Sequence, residues 1–487
     1  MKLTADALLS SITNFPQLNR ITQPKSELPP IKVNGIAKIS GQNKDFGIQV
    51  NINNKSFRLR YPAGIWNRFP KTHRKILTEN ISFSHTFHLP YVFGSLKKMQ
   101  YNIPVPLSEA FLFKSMSLSL PSTAMMNDYS SEKLTSVLLK RLFEVDYIYN
   151  NKKTDIPPYN RTSFSDHAIM PFTFGKDSLL TFALSREMGI KVHPIYITEP
   201  EFLFEAAVKK QLAKNFRKEF KVKIYFLKNS LGKLRDPGGW HGWELQLTQY
   251  SLMLLPYVYA KKAGYIFFSN EQSCNDSVID DEGFRCNPVF EQSHSWLLQN
   301  SLMTSIIGGN SLSIGSLLEP LYEIAIMKIL HHRYPDIGKY QSSCDLDAKP
   351  RSGGRWCEGC SKCGRIYIFL LALGINPKKI GFKYDLLSRK YKKLYGIFSS
   401  GNIKDYYGYD ASGAGSDEQI FAFYLAYKKG CKGPLMTHFV RKYLQYARKN
   451  EKNFRKKFFG LHSAKTVPDK IRQKVLHIFH TELKDVQ

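Results

Sequence analysis

Short apolar runs alternate with helix-patterned segments between residues 169 and 269, and this alternation constrains the fold more than any other feature of the chain. Four runs are typical of β-strands: Ile169–Phe174, Lys191–Ile197, Val222–Leu227 and Tyr265–Ser269. Between them, apolar residues recur at the spacing of an α-helix. Strands that alternate with helices form parallel sheets, because a parallel connection has to cross back over the sheet. The pattern therefore predicts an α/β fold with a Rossmann-like parallel sheet over residues 161–380.

The regions on either side of this centre have different patterns. Residues 1–150 contain short runs rich in Ile, Val, Phe and Tyr, with Ile81–Phe83 among them, and these runs predict a β-rich N-terminal domain. A polar stretch with a Pro pair at 149–161 is typical of a linker. Residues 381–487 show mainly helical spacing, which predicts a basic helical C-terminal region.

Most of the excess positive charge lies in these flanks. The chain has 70 Lys and Arg residues against 40 Asp and Glu residues, a net charge of +30. Residues 1–160 carry +11 and residues 381–487 carry +13, which leaves +6 for the centre. Such an excess implies an acidic partner: nucleic acid, nucleotide phosphates, an acidic protein surface or anionic lipid. For the C-terminal flank, a solvated helix face with a basic stripe is the alternative.

The composition and the apolar runs exclude several classes of protein. A hydrophobic content of 43% can bury a core, which excludes a disordered basic tail. The longest apolar runs have about ten residues, against the ~20 that a transmembrane helix needs. The N-terminal residues show neither a long apolar stretch nor a cleavage-type pattern of small residues. We therefore expect a cytoplasmic protein without a transmembrane segment.

Six consecutive residues have the composition of a phosphate-binding loop: Thr173, Phe174, Gly175, Lys176, Asp177 and Ser178. They lie between a predicted strand and a predicted helix, where backbone N–H groups bind anions. Gly175 permits close approach of the backbone, Lys176 adds a cation, and Ser178 adds a hydroxyl donor. The spacing is not that of a Walker A loop. The alternative is an ordinary helix start that Asp177 or Ser178 caps.

Asn270 and Glu271 directly follow the fourth predicted strand. Open parallel sheets bind ligands beyond the carboxyl ends of their strands. We therefore predict that Asn270 binds the cofactor and that Glu271 is catalytic, as a ligand of a metal ion or of a substrate amine. A surface carboxylate is the alternative for Glu271.

Four of the seven cysteines follow the spacing C-x12-C-x2-C-x2-C: Cys344, Cys357, Cys360 and Cys363. Two C-x2-C steps let a loop present thiolates to one ion, and the upstream cysteine completes a tetrahedral set. Because four protein ligands leave no open position, we predict a structural zinc site. An Fe–S cluster is the main alternative, and four unrelated buried cysteines are the other.

The loop resembles the S-G-G-x-D-S motif of the PP-loop ATP pyrophosphatases, whose nucleotide-binding domain is of the HUP type. This resemblance implies cleavage of ATP to AMP and pyrophosphate, with formation of an adenylate. It also implies that the loop backbone, Lys176 and Ser178 hold the β- and γ-phosphates, and that Asp177 positions Mg²⁺ or caps the helix. Phe174 stands where the family has its first glycine, and we expect its ring to narrow the room beside the phosphates.

Together with the four cysteines, the loop resembles the 7-cyano-7-deazaguanine synthase family, which activates a deazaguanine carboxylate as an adenylate for attack by an amine. A longer stretch is similar to the ATP-dependent UDP-N-acetylmuramoyl-L-alanyl-L-glutamate epimerase family. Ser269–Ser273 resembles its S-N-E-x-S motif, and Glu319–Leu321 with Glu323 resembles its R-P-L-S-E motif. Ser343 with Cys344 resembles its S-C motif.

These resemblances predict an adenylate-forming, ligase-like enzyme that uses ATP, Mg²⁺ and structural Zn²⁺. We expect it to activate a small carboxylate substrate and to pass a deazaguanine-type acyl group to an amine. The expected partner is an acidic macromolecule, either a protein or a tRNA. The alternatives are epimerisation of the UDP-muramyl dipeptide, tRNA modification, and a zinc-bearing binding module without catalysis.

Overall fold

The computed structural model describes residues 30–126, 130–159, 164–200, 202–235, 241–344, 354–398 and 412–486, so residues 1–29 of the predicted N-terminal domain lie outside the described residues. The N-terminal region contains a mixed sheet of β1 (Ile36–Asn43), β2 (Gly47–Ile52), β3 (Lys55–Arg60), β4 (Lys98–Tyr101) and β5 (Asp146–Ile148). The strand order is β3-β2-β1-β4-β5, antiparallel from β3 to β1 and parallel from β1 to β5. Its helices are α1 (Ala63–Trp66), α2 (Lys71–Ser84), α3 (Leu89–Val92), α4 (Glu109–Met126) and α5 (Ser131–Phe143).

The N-terminal region contains a five-stranded sheet, but its described part is not β-rich as predicted, because α1–α5 contain more residues than β1–β5. Ile81–Phe83, predicted as a strand segment, lies in α2. Ser and Thr weaken a helical pattern in a sequence, but inside a helix their hydroxyls can bond to the carbonyl four residues back. Ser82 Oγ donates to Thr78 O at 2.7 Å in α2, and Ser119 Oγ donates to Ser115 O at 2.9 Å in α4.

A parallel sheet of five strands forms the centre of the fold. Its strands are β6 (Ser165–Pro171), β7 (Lys191–Thr198), β8 (Tyr225–Lys228), β9 (Ala263–Phe267) and, after the short pair β10 (Val278–Ile279) and β11 (Arg285–Cys286), β12 (Ser313–Gly315). The order is β12-β9-β6-β7-β8, and every neighbouring pair is parallel. Counted along the chain, this is the 3-2-1-4-5 order of doubly wound folds. The prediction of a Rossmann-like parallel sheet is confirmed.

Helices connect these strands, and further helices complete the chain. The helices within the sheet region are α6 (Lys176–Glu187), α7 (Leu203–Phe220), α8 (Gln246–Lys261) and α9 (His294–Gly308). After the sheet come α10 (Glu323–Arg333), α11 (Pro335–Gly338), α12 (Ser361–Ala372), α13 (Gly413–Lys428), α14 (Pro434–Phe458) and α15 (Asp469–Leu483). Short 3-10 helices occupy Ser230–Leu234, Trp243–Leu245, Gln272–Asn275, Phe290–Gln292, Pro377–Ile380, Arg389–Leu394 and Gly396–Phe398. The helical prediction for the C-terminal region is confirmed. In the described ranges, no helix is both long and apolar enough to cross a membrane.

The central sheet lies between two hydrophobic cores. Successive strand residues point to opposite faces, so Ala168 and Met170 of β6 join one core while Ile169 joins the other. The first core includes residues of α10 and α12–α15, and the second includes α8 and the N-terminal region. Because both faces are covered in this way, the carboxyl edge of the strands is where a ligand can reach the sheet.

Candidate functional site

The strand order reverses between β6 and β9, and the predicted site residues lie at that position. The chain leaves β6 towards β7 on one side, whereas β9 leads to β12 on the other side. The loop Thr173–Ser178 follows the carboxyl end of β6, and Asn270 and Glu271 follow that of β9. Doubly wound sheets bind ligands at such a switch point, because the diverging connections leave a crevice. The structure therefore brings the predicted loop, Asn270 and Glu271 to one place.

Gly175, the N-cap residue of α6, has no side chain that could cap the helix, and Lys176 N donates to Ser343 Oγ at 3.2 Å. The amides of Asp177 and Ser178, next in the first turn, are the ones that can face a ligand. Gly175 occupies the N-cap position, and Leu179 N donates to Gly175 O at 3.0 Å. Ser178 Oγ donates to Gly175 O at 3.2 Å and accepts from Thr173 N at 3.3 Å. The alternative of an ordinary helix start capped by Asp177 or Ser178 is therefore wrong. Ser178 instead holds the loop closed on itself.

Phe174 has a left-handed backbone conformation, with a φ of +58°. This conformation costs a residue with a side chain about 1–2 kcal/mol. The ring is fully buried, with its centroid 4.7 Å from that of Phe172 and 5.6 Å from that of Phe216. The expectation that this ring narrows the room beside the phosphates is wrong, because the ring packs into the core. Phe174 thus takes a backbone conformation that glycine adopts freely.

A cluster of ionisable side chains surrounds the ammonium of Lys176. Its Nζ atom lies 2.6 Å from Asp177 Oδ1 and 3.5 Å from Glu323 Oε1. Glu323 is the first residue of α10, and its Oε2 lies 3.0 Å from Arg365 Nε of α12. Glu271 is close enough for its charge to act on Lys176. Lys176 therefore pairs with carboxylates here, and its contact with phosphate stays a prediction.

Burial controls the protonation of this cluster. It raises the pKa of Glu271 well above the usual value, and the neighbouring carboxylate of Glu323 adds to that effect. For Glu323, burial acts in the same direction, but Arg365 and Lys176 outweigh it and lower the pKa. Burial disfavours the Lys176 ammonium, yet Asp177 and Glu323 outweigh burial and raise its pKa. Burial therefore shifts Glu271 towards its neutral form, whereas Arg365 and Lys176 shift Glu323 towards its ionised form.

The four predicted cysteine ligands converge on one point. The Sγ atoms of Cys344, Cys357, Cys360 and Cys363 all lie within 4.8 Å of one another. The Cys344–Cys360 distance is 4.0 Å and the Cys357–Cys363 distance is 3.6 Å. A tetrahedral zinc ion with Zn–S bonds of about 2.3 Å needs sulfur atoms about 3.8 Å apart. The cluster can therefore hold a metal ion, and the alternative of unrelated buried cysteines is wrong.

The segment that carries Cys344 contacts the loop Thr173–Ser178 directly. Ser342 N donates to Phe174 O at 2.7 Å, and Lys176 N donates to Ser343 Oγ at 3.2 Å. The buried Lys209 ammonium donates to the Ser342 carbonyl. The metal cluster and the loop are therefore parts of one continuous structure.

No protein-family model matches this chain, and no curated protein matches it. Its function therefore has to be inferred from the residues at the switch point.

Four residues of this site had no role predicted from the sequence: Glu323, Ser343, Arg365 and Glu418. Glu323 and Ser343 lie in segments that resemble family motifs, and a role in the site could have been predicted for them from that resemblance. Arg365 and Glu418 carry no local signal. Glu418 of α13 accepts a hydrogen bond from Ile324 N at 2.8 Å, beside Glu323, so the C-terminal region reaches the centre of the site.

A second contact from the C-terminal region lies at the end of β12. The buried Glu319 accepts hydrogen bonds from Thr466 N and Thr466 Oγ1 at 2.6 and 2.7 Å, and from Ser463 Oγ at 2.9 Å. Ser316 Oγ, in the same turn, donates to Asn270 O at 2.5 Å. The segment after α14 is thus attached to the switch point through Glu319 and Ser316.

Proposed function

We propose that this protein is a PP-loop enzyme with a HUP-type domain that cleaves ATP to AMP and pyrophosphate and adenylates a small carboxylate substrate. The observation that supports it most is the start of α6, which has a glycine at its N-cap and lies within the loop Thr173–Ser178 at the switch point of a 3-2-1-4-5 sheet. Backbone amides at a helix start, together with a closed loop, suit a polyphosphate.

In this proposal, an oxygen of the substrate carboxylate attacks the α-phosphorus of ATP, and the bond to the β-phosphate oxygen breaks. The loop amides hold the leaving pyrophosphate. An amine then attacks the acyl carbon, and AMP leaves. Of the two buried carboxyl groups, Glu271 is the stronger base because burial raises its pKa, and its ionised form can take up the proton that the amine releases.

Two metal ions belong to the proposal. Mg²⁺ binds few protein carboxylates and keeps water and phosphate oxygens as ligands. Asp177, whose side chain is 30% exposed in the first turn of α6, fits that role, and the ion when bound would neutralise charge on the phosphates. Zinc is the ion that we assign to the cysteine cluster, because four thiolates in tetrahedral spacing are its usual closed site.

The acidic partner is proposed to dock on a basic surface of α14. This basic surface is defined by exposed cations on the helix: Arg441, Lys442, Arg448, Lys449, Lys452 and Lys456. Lys392, in the 3-10 helix Arg389–Leu394, lies close to this helix. Burial lowers the pKa of His438 in α14, and the charge of Lys392 lowers it further. Such a row suits a polyanion, either a tRNA or an acidic protein.

Transfer of an oxygen isotope tests the proposed reaction. A carboxylate substrate labelled with ¹⁸O should pass one label to AMP, because its own oxygen attacks the α-phosphorus. The first substrate is 7-carboxy-7-deazaguanine, with an amine donor present. AMP that carries no label, formed in the presence of this substrate, would mean hydrolysis of ATP rather than adenylation.

Two further reactions decide between the candidate substrates. Labelled AMP from UDP-N-acetylmuramoyl-L-alanyl-L-glutamate, with no label from the deazaguanine, would favour the epimerase. AMP release that depends on unmodified tRNA would favour tRNA modification. No AMP from any of these substrates would leave the zinc-bearing binding module as the better hypothesis.

A further inference from the structure

The hydroxyl group of Ser343 accepts two hydrogen bonds and can still donate one. A serine hydroxyl offers one donor hydrogen and two acceptor lone pairs. Ser343 Oγ accepts from Lys176 N at 3.2 Å and from Gln341 Nε2 at 3.1 Å. Both acceptor positions are therefore occupied, so the hydroxyl hydrogen is directed to a third group.

The orientation of Gln341 is fixed by its own partners. Gln341 is fully buried, and its Oε1 lies 2.6 Å from His331 Nε2. Burial lowers the pKa of His331 to about 4, so the ring is neutral, and the tautomer protonated at Nε2 donates to the glutamine oxygen. The glutamine Nε2 group must then face Ser343. This arrangement holds the Ser343 hydroxyl in one orientation.

The space beside Gly175 is where that hydroxyl can donate. A Cβ atom at Gly175 would lie 3.3 Å from Thr173 Oγ1 and 3.9 Å from Ser343 Oγ. Two hydroxyl groups therefore border the volume that glycine leaves open at the start of α6. Gly175 has a φ of −70°, which any residue adopts, so a Cβ atom here would fill the open space beside the two hydroxyls without straining the backbone.

A buried carboxyl pair borders Lys176 at the same place. Glu271 is 7% exposed, its carboxyl group forms a hydrogen bond with Glu323, and its charge acts on Lys176. Buried polar atoms are normally satisfied in this way. The donor hydroxyl of Ser343, on the loop side of Lys176, is therefore the group that indicates a ligand between β6 and β9.

We propose that Ser343 is a phosphate-binding residue, whose hydroxyl donates to a phosphoryl oxygen of the bound nucleotide in the space beside Gly175. The inference rests on the proposed function. Its neighbour Cys344 belongs to the metal cluster, so the metal site anchors this hydroxyl over the loop. The cysteine cluster thereby contributes directly to nucleotide binding.

Calorimetric titration of the full-length, zinc-loaded protein with inorganic pyrophosphate and Mg²⁺ tests this inference. Ser343→Ala should weaken binding about tenfold, because a hydrogen bond to a charged group is lost. Gly175→Ala should also weaken binding, since its Cβ fills the same space. Ser342→Ala is the matched control, because Ser342 Oγ donates to Arg355 O and not to the loop. Zinc content should match the wild type in all three variants, and thermal unfolding should show that each variant is folded at the temperature of the titration.

The outcomes separate this inference from the proposed function. If Gly175→Ala weakens binding and Ser343→Ala does not, the loop binds phosphate without Ser343, and only this inference fails. Tighter binding by Ser343→Ala would also refute it, because Ser343 would then merely cover the Lys176 amide. If the wild-type protein binds neither pyrophosphate nor ATP, the proposed function fails together with the inference.

Discussion

Replacing Glu271 and Glu323 by glutamine should have opposite consequences for stability, although the two carboxyl groups belong to one buried cluster. Glu323 is ionised and lies 3.5 Å from Lys176 and 3.0 Å from Arg365. Removing one partner of a buried ion pair costs about 3–5 kcal/mol. We therefore expect Glu323→Gln to lower the free energy of unfolding by about that amount at pH 7.5.

Glu271 behaves differently because burial raises its pKa and so favours its neutral form. Its pKa is raised above 4.5 in the folded protein, so the folded state binds a proton that the unfolded state releases. The contribution of Glu271 to the free energy of unfolding is therefore fully present below pH 4.5. Above that pH the contribution falls by about 1.4 kcal/mol for each pH unit, until the pH reaches the pKa of the folded protein. Glu271→Gln removes this dependence and keeps an oxygen acceptor for Ser273 Oγ, which now donates at 2.8 Å. The variant should match the wild type at pH 5 and be at least as stable at pH 7.5.

Urea unfolding followed by tryptophan fluorescence at pH 5 and pH 7.5 measures both effects. In Glu323→Gln, the neighbouring Glu271 can ionise and take over part of the missing charge. The double variant has no such replacement, so its loss should exceed the sum of the single changes. If Glu271→Gln were destabilised at pH 7.5 as strongly as Glu323→Gln, Glu271 would be ionised in the folded protein, and the reasoning would be refuted.

Three further predictions concern the loop, the metal cluster and the basic surface. Phe174→Gly loses a buried ring worth about 3–5 kcal/mol and relieves about 1–2 kcal/mol of backbone strain, so thermal unfolding should show a net loss of about 1–4 kcal/mol. Tighter binding of pyrophosphate by this variant would contradict the position of the ring. Cys357→Ser should lose its bound zinc in metal analysis, whereas Cys431→Ser, outside the cluster, should keep it. Exchanging Arg448 and Lys449 for Glu should weaken binding to tRNA or an acidic protein and reduce its dependence on salt. The same charge change at the exposed Lys214 and Lys218 of α7 should have little effect, and equal losses in both pairs would refute a specific docking surface.

Local features of the fold and site could be predicted from the sequence, whereas features created by long-range packing could not. Strands β6 and β7 are buried on both faces, so they stand out as apolar runs. The loop from Thr173 to Ser178 is contiguous, and its residue types indicate anion binding directly. By contrast, β12 has three residues, too few to show a period. Helix α2 could not be predicted, because its Ser and Thr residues weaken the helical pattern and their hydroxyls bond to the backbone only once the helix has formed.

The direction of a side chain is harder still to predict. The φ angle of Phe174 decides whether the ring faces a ligand or the core, and no spacing of residues sets that sign. Arg365 and Glu418 reach the cluster through helix packing, α12 against α10 and α13 against the start of α10. Their residue types are ordinary for helices, so only the tertiary arrangement shows that they face Glu323 and Ile324.

The C-terminal region is therefore part of the site and not only a docking flank. It supplies Glu418 beside Glu323, and it supplies Thr466, which holds Glu319 at the end of β12. The basic surface lies on α14, and this helix ends at Phe458, eight residues before Thr466. A partner that neutralises the cations of α14 would act on a helix whose next segment contacts the switch point. In the proposed function, a short stretch of chain connects the docking surface to the chemistry, so we expect a bound partner to change AMP release as well as substrate delivery.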